Sequence, residues 1–257
     1  MALKKNQLHF LANKLITARS KKNLIPALSN EYNLSMEDAY KIQQLITEHK
    51  IRKGQKIIGW KLGYTSLAMR EQMNVAEPNY GPLLDGMILF SGSSVSKELV
   101  QPKVEPEIAV KFGKSLSGSV TFEEVVNAVE SAYGALEIVD SVYDSYNFKI
   151  QDNTADGSSA AQFVLGPTIE KKSLEKTEVI FFKNGNIVDT CKGSAASGHP
   201  LNGILWLIKS LGKHGSRIEA GHVVITGGLT SAVDIRKGDH IRAILEGSKV
   251  VEVYGYE

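Results

Sequence analysis

Glu105 and Glu107, in the stretch QPKVEPEIAV, stand two residues apart in an otherwise apolar run. In a strand, residues i and i+2 share a face, so both carboxylates point one way while Val104, Pro106 and Ile108 point the other. Two like charges on one face repel, and burying either without a partner is costly. A third acid, Glu137, sits in the apolar middle of another expected strand, GALEIVD. Three carboxylates converging from two strands need a divalent cation. Hard cations such as Mg2+ take oxygen ligands and keep positions for water, or for the two oxygens of a 2-oxo acid. The spacing alone also fits acids on a solvated sheet face or in ordinary ion pairs.

Lys61 lies inside the apolar run IGWKLGYTS, between Trp60 and Leu62. Either its stem runs along apolar surface to reach water, or its ammonium is buried beside carboxylates. In the second case it can bind a substrate carboxylate or carry protons. Gly59 and Gly63 leave room for a ligand or another backbone. DNTADGSSAAQFVLG reads as a polar, turn-rich loop entering a strand. Asp156, Ser158 and Ser159 there either contact a ligand or form an Asx-type turn. In TGGLTSAV, Thr230 and Ser231 supply hydroxyls beside two glycines. His199 is read as a neighbour of a helix start, and Cys191 has no base near it in sequence to make it a nucleophile.

The elements that must position these groups follow from periodicity. Residues 3–19 and SMEDAYKIQQLITEHKIRKG carry apolar stripes at helical spacing, the second capped by Ser35. After residue 55 the pattern changes to short β-type runs broken by glycine. Two helices interrupt them, TFEEVVNAVESAYG and HPLNGILWLIKSLGKHG, and Asn184–Gly185 signals a hairpin. The expected organisation is α+β: a helical cap over residues 1–55 and a mostly β catalytic body over residues 56–257, forming one structural unit.

A net charge of +2 on 257 residues argues against a nucleic-acid platform, and no GxGxxG or Walker A sequence supports nucleotide binding. One cysteine excludes an intrachain disulfide, and no run of about 20 apolar residues suggests a membrane helix. With no secretory signal in view, the expectation is a cytoplasmic protein.

Taken together, IIGWKLGYTSLAMREQMNVAEPNYGPLLD, QPKVEPEIAV, ALEIVDSVYDSYNFKI, TADGSSAAQFVLG, GHPLNGILWL and TGGLTSAV resemble, in order, the hydratase/decarboxylase family of the fumarylacetoacetate hydrolase superfamily. That family includes 4-oxalocrotonate decarboxylases and 2-hydroxypenta-2,4-dienoate hydratases of aromatic meta-cleavage catabolism. The resemblance implies a mixed β-barrel or roll with an N-terminal helical region, and Mg2+ or Mn2+ held by Glu105, Glu107 and Glu137. Lys61 then matches an active-site lysine and Ser159 a serine beside the substrate. Ser158, Thr65 and Thr230 join the expected substrate-binding set, with Asp140 and Asp85 as lesser proton carriers. The expected substrate is a small 2-oxo acid. A homo-oligomer is expected, and a complex with a partner pathway enzyme is open.

Two departures stand out. The family usually has Asp-Asn-Ala-Ser where this chain has Asp156-Gly157-Ser158-Ser159, and Asp-Ser-Arg where it has Asp140-Ser141-Val142. Losing that arginine is expected to alter the preferred substrate's size or charge. DSVYDSYNFKI and TGGLTSAV lean toward decarboxylases, GHPLNGILWL toward hydratases. A C–C hydrolase of the acylpyruvase type is a third reading, and it requires a His–Glu pair near the metal.

Overall fold

The computed structural model describes residues 2–72 and 75–256; Met73 and Asn74, inside the first of the resembling stretches, lie outside them. In chain order the helices are α1 (Lys5–Ser20), α2 (Met36–Arg52), α3 (Leu67–Gln72), α4 (Phe122–Ala128), α5 (Ile150–Ala155) and α6 (Asn202–Lys213). The strands are β1 (Ile57–Gly63), β2 (Asn79–Leu84), β3 (Ile88–Phe90), β4 (Lys103–Phe112), β5 (Val129–Val139), β6 (Ala160–Ile169), β7 (Glu178–Lys183), β8 (Asn186–Lys192), β9 (Val223–Ile225), β10 (Val233–Asp234), β11 (His240–Leu245) and β12 (Lys249–Tyr254).

A mixed sheet runs in the order β2-β1-β9-β4-β5-β6-β3, with β10 pairing on β4. A smaller antiparallel sheet runs β12-β11-β7-β8. The two share one core, in which Ile108, Val110, Leu136, Ile138 and Val164 meet Phe181, Ala243 and Val251. The expected hairpin is present: Lys183 pairs with Asn186, and Asn184 and Gly185 both adopt positive φ, as a two-residue primed turn requires.

α2 begins as the sequence suggests. The Ser35 hydroxyl accepts from the Asp38 N–H at 3.1 Å, and the Asp38 carboxylate accepts from the Ser35 N–H. Glu37 and Asp38 lie at the positive end of its dipole, and Lys50 and Arg52 at the negative end. One expectation fails in extent. TFEEVVNAVESAYG is helical only to Ala128, because from Val129 onward the backbone pairs with β4, starting at Phe112↔Val129. Ladder pairing overrides the local helical pattern there. The stretch expected as a loop before β6 contains α5. Asp152 holds its start by accepting from the Lys149 N–H and from the Ser29 N–H, 123 residues away.

The N-terminal helices do not pack by themselves. Leu8, Leu11, Leu15 and Ile42 form a cluster with Val142, Tyr143 and Ala155 of the body. Val142, which stands where the family usually has arginine, is therefore buried in this cluster and not in the substrate pocket. The cation beside Asp140 comes instead from α1. The Arg19 guanidinium donates to Asp140 and to Asp156, each at 2.8 Å. Both acids are buried, so removing the arginine leaves two carboxylates short of a counter-charge. Arg19→Ala is expected to cost about 3 kcal/mol and to lower Tm by roughly 9 °C in a thermal melt, whereas Lys14→Ala, at an exposed pair with Glu31, leaves Tm within about 2 °C.

Candidate active site and metal centre

β4 and β5 pair antiparallel with Glu105 directly opposite Glu137. Glu107, two residues on, shares their face, and oxygens of the three carboxylates lie within 4.8 Å of one another. At that separation each ionised pair repels by roughly 3 kcal/mol, for an effective dielectric of about 20. Lys61 of β1 answers part of this. Its Nζ lies 3.0 Å from Glu137 Oε2, and the side chain is only 4% exposed. The lysine is thus buried beside the acids, which decides between the two readings its sequence left open.

Burial, then repulsion from Glu137, pushes the Glu105 carboxyl up to about 7. Burial, with Glu137 and Glu105 behind it, carries Glu107 well above the usual carboxylate range. Burial works against the Lys61 charge, but Glu137, Glu105 and Glu107 together outweigh it and hold the ammonium above the ordinary lysine value.

The donor set fits a divalent cation. Glu107 Oε1 is buried and accepts no hydrogen bond, and the Glu137 oxygens have none beyond the Lys61 ion pair. Three carboxylates and one ammonium leave two negative charges, the amount one dication neutralises. The cradle is also shaped by backbone. The Gly227 N–H donates to Glu107 Oε2 at 2.8 Å, and a Cβ at Gly228 would fall on the Glu105 carboxylate. Glu105, Glu107 and Glu137 would hold the ion, all through oxygen, as Mg2+ and Mn2+ prefer.

Beside the triad lies a pocket of about 340 Å³, lined among others by Lys61, Tyr64, Thr65, Glu105, Ser158 and Ser159. Ser158 Oγ donates to Asn79 Oδ1, and its carbonyl accepts from Lys61 Nζ at 3.1 Å. Ser159 Oγ accepts from Asn153 Nδ2, which leaves its hydroxyl hydrogen for a ligand. Burial pushes the Tyr64 phenol up to about 12, so it stays a donor.

Three expected residues are placed elsewhere. Asp85 is exposed in a turn, where its carboxylate accepts from the Lys56 and Gly86 N–H groups. Asp140 is fully buried behind the pocket, and its oxygens are taken by Arg19 and by the Val100 and Gln101 N–H groups. Saturated with donors, it is an anchor and not a proton carrier. Thr230 is buried with its hydroxyl on the Ser231 carbonyl, while Ser231 itself lines the pocket. The sequence reading missed Lys103, Tyr146, Phe148 and Asn153, all in the pocket wall. Lys103 precedes the glutamates by two and four residues on the same strand face, and that spacing was the signal available.

The comparisons with known proteins bear on this geometry. No family model matches the chain. It is 36% identical over 236 residues to a 2-hydroxyhexa-2,4-dienoate hydratase of Comamonas testosteroni, covering 89% of each chain. It is 34% identical to a 4-oxalocrotonate decarboxylase of Pseudomonas putida, covering 95% of each. The chain belongs to the hydratase/decarboxylase family of the fumarylacetoacetate hydrolase superfamily. A solved structure of this family, the 4-oxalocrotonate decarboxylase of Pseudomonas putida G7 complexed with magnesium and adipate, superposes with a TM-score of 0.95 over 99% of both chains at 31% identity. More distantly, fumarylpyruvate hydrolase of Pseudomonas aeruginosa, in complex with Mn2+ and pyruvate, shares the fold with a TM-score of 0.60 over 76% of this chain and 88% of its own, at 12% identity. Members of the family named by these relatives are metal-dependent lyases, and the α+β architecture expected from the sequence is theirs. Among the described residues no helix is long and apolar enough to cross a membrane.

Proposed function

We propose that the chain is a divalent-metal-dependent lyase acting on 2-oxo and 2-hydroxy-dienoic acids of aromatic meta-cleavage catabolism, and that its reaction is the decarboxylation of 4-oxalocrotonate. The observation that carries this choice is Lys103. It lines the pocket together with Glu105 and Lys61, with Nζ 5.0 Å from the centre of the Tyr146 ring and 3.4 Å from Asp234. The pocket thus has a cation for the far carboxylate of a six-carbon diacid, beyond what a five-carbon monoacid uses.

A bound cation supplies Lewis-acid chemistry to the carboxylate and 2-oxo oxygens of such an acid. The chain's own residues do the rest. Lys61 spends two of its three N–H donors on Glu137 and the Ser158 carbonyl, leaving one for a substrate oxygen. Ser159 offers its hydroxyl hydrogen, and Tyr64 a second O–H donor. In the decarboxylation the bond to the distal carboxylate breaks and CO2 leaves. The electron pair moves through the conjugated double bond to the 2-oxo oxygen, which takes one proton and gives 2-hydroxypenta-2,4-dienoate.

The second reading is the hydratase, which adds water to that dienoate to give 4-hydroxy-2-oxopentanoate. The hydratase relatives and the polar wall of Ser158, Ser159 and Tyr64 favour it. A C–C hydrolase needs a base for its water, and among the described residues no histidine lines the pocket. Exposed apolar residues on outer strands, Phe90 of β3 and Ile187 of β8, support a homo-oligomer.

The test is to supply Mg2+ with each substrate separately. CO2 release from 4-oxalocrotonate is the expected result; hydration of the dienoate without CO2 release would transfer the assignment to the second reading. Lys103→Met is expected to raise KM for the diacid about tenfold and leave turnover of any dienoate unchanged, with steady-state kinetics on both substrates as the check.

A further inference from the structure

The segment 156–159 has a cavity on each side. On one side Ser158 and Ser159 line the active-site pocket. On the other, Asp156 and Gly157 line a separate, partly open cavity of about 220 Å³ between α1, α2, β2 and the start of β6. Its walls include Leu15, Ile46, Leu84 and Met87, and its cations are Arg19, Lys50 and the exposed Lys53. That volume equals about seven waters of liquid, room for an ion of benzoate or hexanoate size.

Two polar groups in this cavity lack partners. Among the described residues the Lys50 ammonium makes no hydrogen bond or ion pair, although Arg19 and Asp156 are near enough to affect its charge. His49 Nε2 is buried with no hydrogen-bond partner. Burial, then the neighbouring Arg19, lowers the Lys50 ammonium to about 8, so the charge is held at a cost that an entering anion would relieve. Arg19 is already committed to Asp140 and Asp156 and Lys53 is exposed to solvent, which leaves Lys50 as the surplus cation held against the cavity wall. Apolar walls with an unmatched, partly buried cation describe a receptor for a carboxylate with a short apolar tail.

We propose that this cavity is a second ligand site, for a small monocarboxylate with an apolar tail, and that its occupancy is coupled to the active site through residues 156–159. The ligand's carboxylate sits at Lys50 and competes with Asp156 for Arg19. Asp156 begins the segment whose Ser158 carbonyl accepts from Lys61 and whose Ser159 lines the pocket. Ser158 and Ser159 both hold positive φ, 57° and 56°, a conformation that persists only while its surroundings enforce it. Loosening Asp156 therefore reaches the carbonyl that accepts from Lys61. Coupling of this kind is reciprocal, so substrate and effector alter each other's affinity by the same factor.

The site itself does not depend on which reaction is catalysed, so binding is measured without turnover. The full-length Glu107→Gln protein is titrated calorimetrically with hexanoate and with benzoate, so that carboxylate binding at the metal centre is suppressed. Saturable binding with Kd at or below about 10 mM is expected. Lys50→Met is expected to weaken it at least about tenfold, Lys50→Arg to retain it, and Ile46→Trp, which fills the cavity without touching its charge, to abolish it. In the parent enzyme, hexanoate is expected to change KM for the oxo acid with the same concentration dependence. Binding that survives both Lys50→Met and Ile46→Trp, or no saturation, overturns the site. Binding without any change in KM overturns the coupling.

Discussion

Glu107→Gln should lower kcat/KM by about a thousandfold at saturating Mg2+, a loss of about 4 kcal/mol of transition-state stabilisation. The substitution keeps the shape and keeps an oxygen that can accept from the Gly227 N–H, so the fold has no reason to fail. What goes is one of the negative charges of the cradle, and an amide NH2 replaces a ligand oxygen. Metal affinity should fall with it, read as a rightward shift in the Mg2+ dependence of rate and in calorimetric titration. The stability change has the opposite sign. Without added metal the variant should melt at or above the parent's temperature, because three carboxylates crowded within 4.8 Å become two. With Mg2+ the order should reverse, since only the parent gains the full binding energy. A variant with parental rate and parental Mg2+ dependence would show that the three glutamates are not the metal centre.

Lys61→Met should lower kcat by a factor of about 10² to 10⁴ with a smaller effect on KM, the range expected when a positioned proton donor is lost. Methionine fills a similar volume, so packing against Trp60 and Leu62 survives. Here the stability change runs the other way from Glu107→Gln. The ammonium is the counter-charge of a buried acidic cluster, and removing it in metal-free buffer should cost about 3–5 kcal/mol. Mg2+ should restore much of that loss without restoring turnover. Paired thermal melts with and without Mg2+, set beside kcat, separate the two effects. Turnover within about threefold of the parent would remove Lys61 from the chemistry.

The convergence of the three carboxylates was legible because its signal is local. Glu105 and Glu107 declare a shared face by their spacing, and Glu137 sits alone in an apolar strand where a carboxylate needs a reason. The same logic misled at Asp140 and Asp85. Sequence shows that an acid is present, and it does not show how many N–H donors the fold will bring to it. Asp140 is consumed by Arg19, 121 residues away, and by Val100 and Gln101, about 40 residues away. Lys103 was passed over for the converse reason. A lysine near a strand's start is ordinary on a surface, and only the position of Tyr146, brought in by its hydroxyl bonds to the Gln101 and Val139 carbonyls, turns it into a pocket wall. The main helices and strands were readable from periodicity. The end of α4 was not, since the partner that converts Val129 to strand is a neighbour in space alone.

The placement of Glu105 opposite Glu137 also bears on how the chain finds its fold. Strand side chains repeat every two residues, so sliding β4 by one position against β5 would send both its glutamates into the apolar core and turn Val104, Pro106 and Ile108 toward the acid. A one-residue slip scatters the three carboxylates and leaves a dication no place to bind. A cation present during folding thus stabilises the native pairing over its one-residue slips. The ion that serves the finished enzyme would act, in the forming sheet, as a proofreader of strand alignment.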